Sequence, residues 1–255
     1  PMTTSPPLSE NHHPGIVFFD AGNTLLHVHP SIGEVYGEVS GAFGCSISPE
    51  EIEKHLLGVW KQYLDEIKTS REALVTSEER EYEMWRTLTF TVHERIPNLT
   101  CDPRSWFEAL NQTFGEARRF RLFPDVGETL GALGEKGIRI GVISNWDSRL
   151  ERILKGLGLS EVLYVVVISS LVGYSKPHPR IFEIALERAG LPADEAVHVG
   201  DTLRDDVEGA RGVGIRAFHL HRAESFGLSN RKLLAPPSTD DDARIGSLAE
   251  ILGRL

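Results

Sequence analysis

The sequence predicts an α/β fold: a parallel sheet with helices on both faces, interrupted after its first strand by a helical insertion. Three observations carry this. From about residue 121 onward, short apolar runs alternate with segments of helical period, the pattern of successive strand–helix units. Ile16-Val17-Phe18-Phe19 is an unbroken apolar run, as in a strand covered on both faces. Between residues 30 and 120 strand signals are sparse and helix-period patterns dominate.

The elements follow in order. Residues 1–14, rich in Pro and Ser and carrying His12-His13, read as a flexible polar tail. The first strand, 16–19, ends at Asp20 and a turn containing Gly22. A carboxylate at the carboxyl end of a buried strand lies where open α/β sheets bind ligands. The insertion is expected to hold helices over 52–67, 77–93 and 103–120. Trp60 and Tyr63 read as its core, while Glu81, Trp85, Arg86 and His93 share one helical pattern, Arg86 offering a cation to an anionic ligand.

After the insertion, Val126, Leu130 and Leu133 share a helical face, and Lys136-Gly137 supplies a stop signal. A strand over 138–143 follows. Ser148 reads as the cap of a helix carrying Leu150, Ile153, Leu154 and Leu157. Then come a strand (163–168), an amphipathic helix (179–189) closed by Gly190, a strand (197–199), a helix (205–213) and a last clear strand (215–220). Residues 236–243 read as a loop and 247–255 as a short helix.

Composition bounds the function. A chain of 255 residues is long enough for one large domain or a core with an inserted subdomain. The formal net charge of -10 argues against nucleic acid and acidic membrane surfaces as partners. Cys45 and Cys101 are the two cysteines, which fits a reducing compartment and no disulfide framework. No apolar stretch is long enough to cross a bilayer and no signal peptide is evident. The expected location is cytoplasmic, as a monomer or homodimer.

Four segments carry chemistry. In Asp20-Ala21-Gly22-Asn23-Thr24-Leu25 the leading carboxylate is placed to act as a nucleophile or to cap a turn. In Gly141-Val142-Ile143-Ser144-Asn145 the Ser144 hydroxyl and nearby backbone N–H groups can donate to an anionic oxygen. In Gly173-Tyr174-Ser175-Lys176-Pro177-His178-Pro179 a lysine precedes an amphipathic helix. In Val197-His198-Val199-Gly200-Asp201-Thr202-Leu203-Arg204-Asp205-Asp206, three carboxylates follow a strand, a hard-oxygen set suited to Mg²⁺.

Together and in this order the segments resemble the haloacid dehalogenase-like (HAD) hydrolases over about residues 15–255. The run Trp146-Asp147-Ser148-Arg149-Leu150 resembles the rhythmically-expressed-gene-like branch. The resemblance implies a Rossmann-like core (15–29 and 121–255) with a helical cap of the C1 type (30–120). It implies Asp20 as nucleophile, with Ser144, Asn145 and Lys176 on the substrate. It also implies Mg²⁺ held by Asp20, Gly22, Asp201 and Asp206, with Asp206 or Asp205 binding the metal's waters or orienting Lys176. The partner is then a small phosphorylated molecule, hydrolysed through an aspartyl-phosphate.

One position departs from that pattern. Phosphatases of the family carry a second Asp two residues after the nucleophile, as proton donor to the leaving group; here it is Gly22. Its backbone carbonyl can still face a metal, but it cannot transfer protons, and such help is worth about 10²- to 10⁴-fold. Three readings follow. The first is a Mg²⁺-dependent phosphate hydrolase of weak or restricted activity, with a water on the Asn23 side, His27, His29 or the cap as sources of a substitute acid. The second is a metal-independent 2-haloacid dehalogenase-type hydrolase, since halide leaves without a proton. The third is a phosphate-ligand binding protein that has lost turnover. Retained Asp201 and Asp206 favour the first.

Overall fold

The computed structural model describes residues 13–67, 74–222 and 243–255. Residues 1–12 of the expected tail and 236–242 of the expected loop lie outside them. The core is a six-stranded parallel sheet in the order β5-β4-β1-β6-β7-β8. Its strands are β1 (Ile16–Phe19), β4 (Arg139–Ser144), β5 (Val165–Ile168), β6 (Ala196–Gly200), β7 (Arg216–Leu220) and β8 (Arg244–Ile245). β1 pairs with β4 on one side and β6 on the other. All four of its residues are buried, so the apolar run is explained by cover on both faces.

One face carries α5 (Val126–Glu135) and α6 (Arg149–Gly156), packed on Val17, Phe19 and Val142. The other carries α8 (Pro179–Ala189) and α9 (Gly209–Gly212), packed on Ile16, Phe18 and Ile143. α7 (Ser169–Val172) is one short turn after β5. The stop signals work through left-handed glycines: Gly137 follows α5 at φ 71° and Gly190 closes α8 at φ 66°.

Between β1 and β4 the chain leaves the sheet. β2 (Leu26–Val28) leads into α1 (Ile32–Ala42), α2 (Pro49–Ile67), α3 (Glu78–Arg95) and α4 (Pro103–Thr113), and β3 (Phe120–Leu122) returns antiparallel to β2. The four helices enclose their own apolar cluster around Tyr36, Ile52, Leu88, Val92 and Trp106. Trp60 packs between Tyr63 and Trp85, stacked on the latter at 5.5 Å. No helix among the described residues is long and apolar enough to cross a membrane.

The structure corrects several local expectations. The helix expected over 103–120 stops at Thr113. A single 3₁₀ turn (Ala117–Arg119) follows, and Phe120–Leu122 becomes a strand because Phe120 and Leu122 pair with Val28 and Leu26. α1 was not resolved as a separate helix by its pattern, yet Ser31 caps it by accepting from the Glu34 N–H at 3.1 Å. α2 begins at Pro49 rather than 52. Ser148 does not cap α6; its own backbone is already helical (φ -58°, ψ -16°) and its hydroxyl turns to Glu78. The helix expected over 205–213 is a π-helical turn (Leu203–Glu208) running into α9. The C-terminal helix is 3₁₀, Leu248–Gly253, with a Ser247/Glu250 capping box.

Candidate active site

Asp20 stands at the carboxyl end of the central strand. Its N–H still donates to the Val199 carbonyl at 2.9 Å, so the residue is held in the β1–β6 register. The chain then turns sharply: the Leu25 and Leu26 N–H groups both reach the Ala21 carbonyl, at 2.9 and 3.0 Å. Asn23 takes the left-handed conformation at φ 56°, which a short polar side chain tolerates.

Neighbouring strand ends bring the other groups in. Ser144, last residue of β4, donates its hydroxyl to Asp20 Oδ1 at 3.0 Å. Lys176 Nζ donates to Asp20 Oδ1 at 2.7 Å, to Asp206 Oδ1 at 2.6 Å and to the Ile143 carbonyl at 2.9 Å. All three of the ammonium's protons are thus used. Among the described residues Asp20 Oδ2 accepts no such bond.

Asn145, expected as a substrate contact, also braces the lysine. Its amide spans the Lys176 main chain, accepting from that N–H at 2.7 Å and donating to that carbonyl at 3.0 Å. His178 caps α8, accepting from the Arg180 N–H at 3.1 Å, and stacks on Tyr174. Arg86 pairs with Glu83, His93 reaches the Cys101 carbonyl, and His27 Nδ1 lies 2.9 Å from the Val28 carbonyl, so each has local partners.

Asp206 is delivered by the π-helical turn, a widened geometry common at functional sites. Its Oδ2 accepts from the Thr202 N–H at 3.0 Å, and Oδ1 faces both Lys176 and His198 Nε2, the latter at 3.0 Å. Gly200 makes this close fit possible: a Cβ there would fall 2.1 Å from Asp206 Cγ. The Asp201 carbonyl faces His219 Nε2 of β7 at 3.1 Å. His198 and His219 were not assigned roles by sequence reasoning. The signal for His198 is a single imidazole inside the apolar run Val197-His198-Val199, which has to be satisfied once buried.

Carboxylate oxygens of Asp20, Asp201 and Asp206 all lie within 4.8 Å of one another. Asp205 is not part of that group. Burial raises the Asp20 carboxyl above its ordinary range, against the pull of Lys176, and the Asp206 charge raises it further. Asp201 is raised well above its ordinary value by burial and then by Asp20 and Asp206. Burial also opposes the charge on Asp206, but Lys176 and His198 outweigh it and hold that carboxyl low. Burial alone would lower Lys176; Asp20 and Asp206 raise it instead, fixing it as a cation. Three carboxylates therefore face one ammonium, an excess of negative charge at a sheet edge.

A family model described as haloacid dehalogenase-like hydrolase matches residues 15–214. The chain belongs to the haloacid dehalogenase-like hydrolases. The zebrafish (Danio rerio) haloacid dehalogenase-like hydrolase domain-containing protein 3 is 33% identical over 214 residues, 82% of this chain and 85% of that protein. The phosphoserine phosphatase of Thermus thermophilus is 36% identical over 141 residues, 54% of this chain and 53% of that one. A HAD phosphatase from Thermococcus onnurineus superposes with a TM-score of 0.60 at 26% identity, covering 94% of this chain and 96% of that one. The α/β core with strand order set around β1 is thus the HAD hydrolase core, and the chain is an enzyme of hydrolytic type.

Proposed function

We propose that this HAD hydrolase cleaves small phosphorylated metabolites through an aspartyl-phosphate, with residues 30–120 serving as its cap. The observation that carries the reading is the Asp20 carboxylate, gripped through Oδ1 by Ser144 and Lys176 while Oδ2 accepts no bond among the described residues. A carboxylate so oriented presents one oxygen for attack. The phosphatase named among the relatives supports the substrate class.

The residues fit a divalent cation. The carboxylates outnumber the nearby ammonium, and Asp201 is pushed up by burial and then by the charges of Asp20 and Asp206. Asp20 and Asp201 would hold Mg²⁺, with the Gly22 carbonyl beside them; Asp206, whose oxygens are already bonded to Lys176, His198 and Thr202, would act mainly by fixing Lys176. When bound, Mg²⁺ supplies charge neutralisation for a phosphate dianion approaching a carboxylate.

In the reaction, Asp20 Oδ2 forms a bond to phosphorus as the bond from phosphorus to the leaving oxygen breaks, its electron pair going to that oxygen. With substrate in place, Lys176 and Ser144 would each redirect to a phosphoryl oxygen the proton now given to Asp20 Oδ1. Water then attacks phosphorus, the bond to Asp20 breaks, and inorganic phosphate and free Asp20 result. Residue 22 contributes no proton, so leaving groups that depart as stable anions, such as aryl oxides and acyl groups, are favoured. A metal-independent dehalogenase reading draws on the same Gly22, but leaves the Asp201 carboxylate without a task. Few cysteines support a cytoplasmic location.

The test is hydrolysis of an aryl phosphate with Mg²⁺ and with chelator. Expected are Mg²⁺-dependent turnover in the wild type and none in Asp20→Asn, with the fold intact by circular dichroism. Metal-independent halide release from 2-haloacids, with no phosphate release, would replace this reading with the dehalogenase one.

A further inference from the structure

We propose that Trp146 is a specificity-determining residue: its indole walls the space beside Gly22 and selects flat, apolar leaving groups. The inference rests on the phosphatase reading and adds to it the shape of the group that departs.

A Cβ built on Gly22 would come 3.3 Å from Trp146 Cζ3, and among the described residues no other non-neighbouring atom lies within 4 Å of it. The indole therefore walls the space that a side chain at position 22 would enter. It stands two residues after Ser144, whose hydroxyl bonds Asp20, so the wall adjoins the nucleophile. It is also rigidly mounted. The Trp146 N–H donates to Ser169 Oγ at 3.0 Å, its carbonyl accepts from the same hydroxyl at 3.0 Å and from the Ser170 N–H at 3.2 Å, and its ring meets Phe120 edge-on at 5.8 Å. Trp146 remains only partly buried.

An aromatic plate of this kind attracts an aryl group by stacking and dispersion, and offers it no acidic proton. The two neighbours thus act in one sense. Position 22 has no acid, and the surface next to it favours leaving groups that need none. The same contact opposes a larger residue at 22, which has to push aside an indole whose main chain is held at both its N–H and its carbonyl.

The test uses two non-hydrolysable probes, phenylphosphonate and methylphosphonate, titrated by calorimetry with Mg²⁺ into the full-length protein. Wild type is expected to prefer phenylphosphonate by tenfold or more, Trp146→Leu to fall within threefold of no preference, and Trp146→Phe to keep part of it. In parallel, Gly22→Ala should lower Tm in the wild-type background and not in Trp146→Leu, which reads the steric contact without any activity. Loss of affinity for both probes by the same factor in Trp146→Leu, or binding of both by wild type without preference, overturns the inference alone. Binding of neither probe by wild type overturns it together with the phosphatase reading.

Discussion

Asp206 Oδ1 lies 2.6 Å from Lys176 Nζ, and together with Asp20 and the Ile143 carbonyl it fixes where the ammonium sits. Both side chains are buried, at 1% and 3% exposure. Asp206 is itself fixed on the other side by His198 and the Thr202 N–H. The cation beside the nucleophile is thus positioned in part by residues other than Asp20.

Removing Asp206 should therefore cost both stability and chemistry. Truncating one member of a buried ion pair leaves the other charge uncompensated, at about 3–5 kcal/mol. Asp206→Ala is expected to lose that much in urea denaturation at pH 7, and to lower turnover of an aryl phosphate as Lys176 drifts from Asp20. Asp206→Asn, which keeps the size and one acceptor, should lose less of each. Wild-type stability in Asp206→Ala would show that Lys176 is held by Asp20 and the Ile143 carbonyl without it.

The parallel core was legible because its strands are apolar on both faces and its helices end in glycines that take positive φ, such as Gly137 and Gly190. The segments ending at Asp20, Ser144 and Gly200 could be aligned because all three terminate parallel neighbours in one sheet. What stayed hidden depends on contacts distant in sequence. β2 and β3 are three residues each and lie some ninety residues apart, so neither carries a pattern of its own. That the Asn145 amide spans the Lys176 main chain, through both its oxygen and its nitrogen, is visible only in the fold. Ser148 has the identity of a helix cap; that its hydroxyl is claimed by Glu78, seventy residues earlier, follows from packing of α3 onto the core.

Asp205 gives a pH signature. Burial, then the charge of Asp206, pushes its carboxyl up to about 7. A folded value above the unfolded one, about 3.9, means the folded state holds this proton more tightly. The stability it contributes is complete below pH ~4 and is lost as pH rises through about 7. Asp205→Asn removes that loss. With chelator present, the variant should match wild type at pH 4 and exceed it by about 1–2 kcal/mol at pH 8, a figure reduced from the full shift because the residue keeps some solvent access. Parallel stability curves for the two proteins from pH 4 to 8 would show that Asp205 carries no such strain.

Glu78, at the first turn of α3, ties the helical layer to the sheet edge. Its carboxylate accepts from the Ser148 N–H at 2.8 Å, from the Ser148 hydroxyl at 2.6 Å and from the Ser170 hydroxyl. Beside it the Thr76 N–H reaches the Gly173 carbonyl at 3.0 Å and the Ser175 N–H reaches the Leu74 carbonyl at 2.8 Å, so the tie ends one residue before Lys176. Hydrogen bonds to a charged acceptor are worth about 1.5–3 kcal/mol when buried, and these are part-exposed, so Glu78→Ala should cost about 1–2 kcal/mol in all. The effect should be local. Amide exchange at Thr76, Ser148 and Ser175 should speed by tenfold or more while the buried amides of β1 and β4 exchange as in wild type. Because Lys176 follows this strap directly, KM for an aryl phosphate should rise more than kcat falls. Unchanged exchange at those three amides would show that the remaining contacts, the Thr76–Gly173 and Ser175–Leu74 main-chain bonds among them, hold the layers together without Glu78.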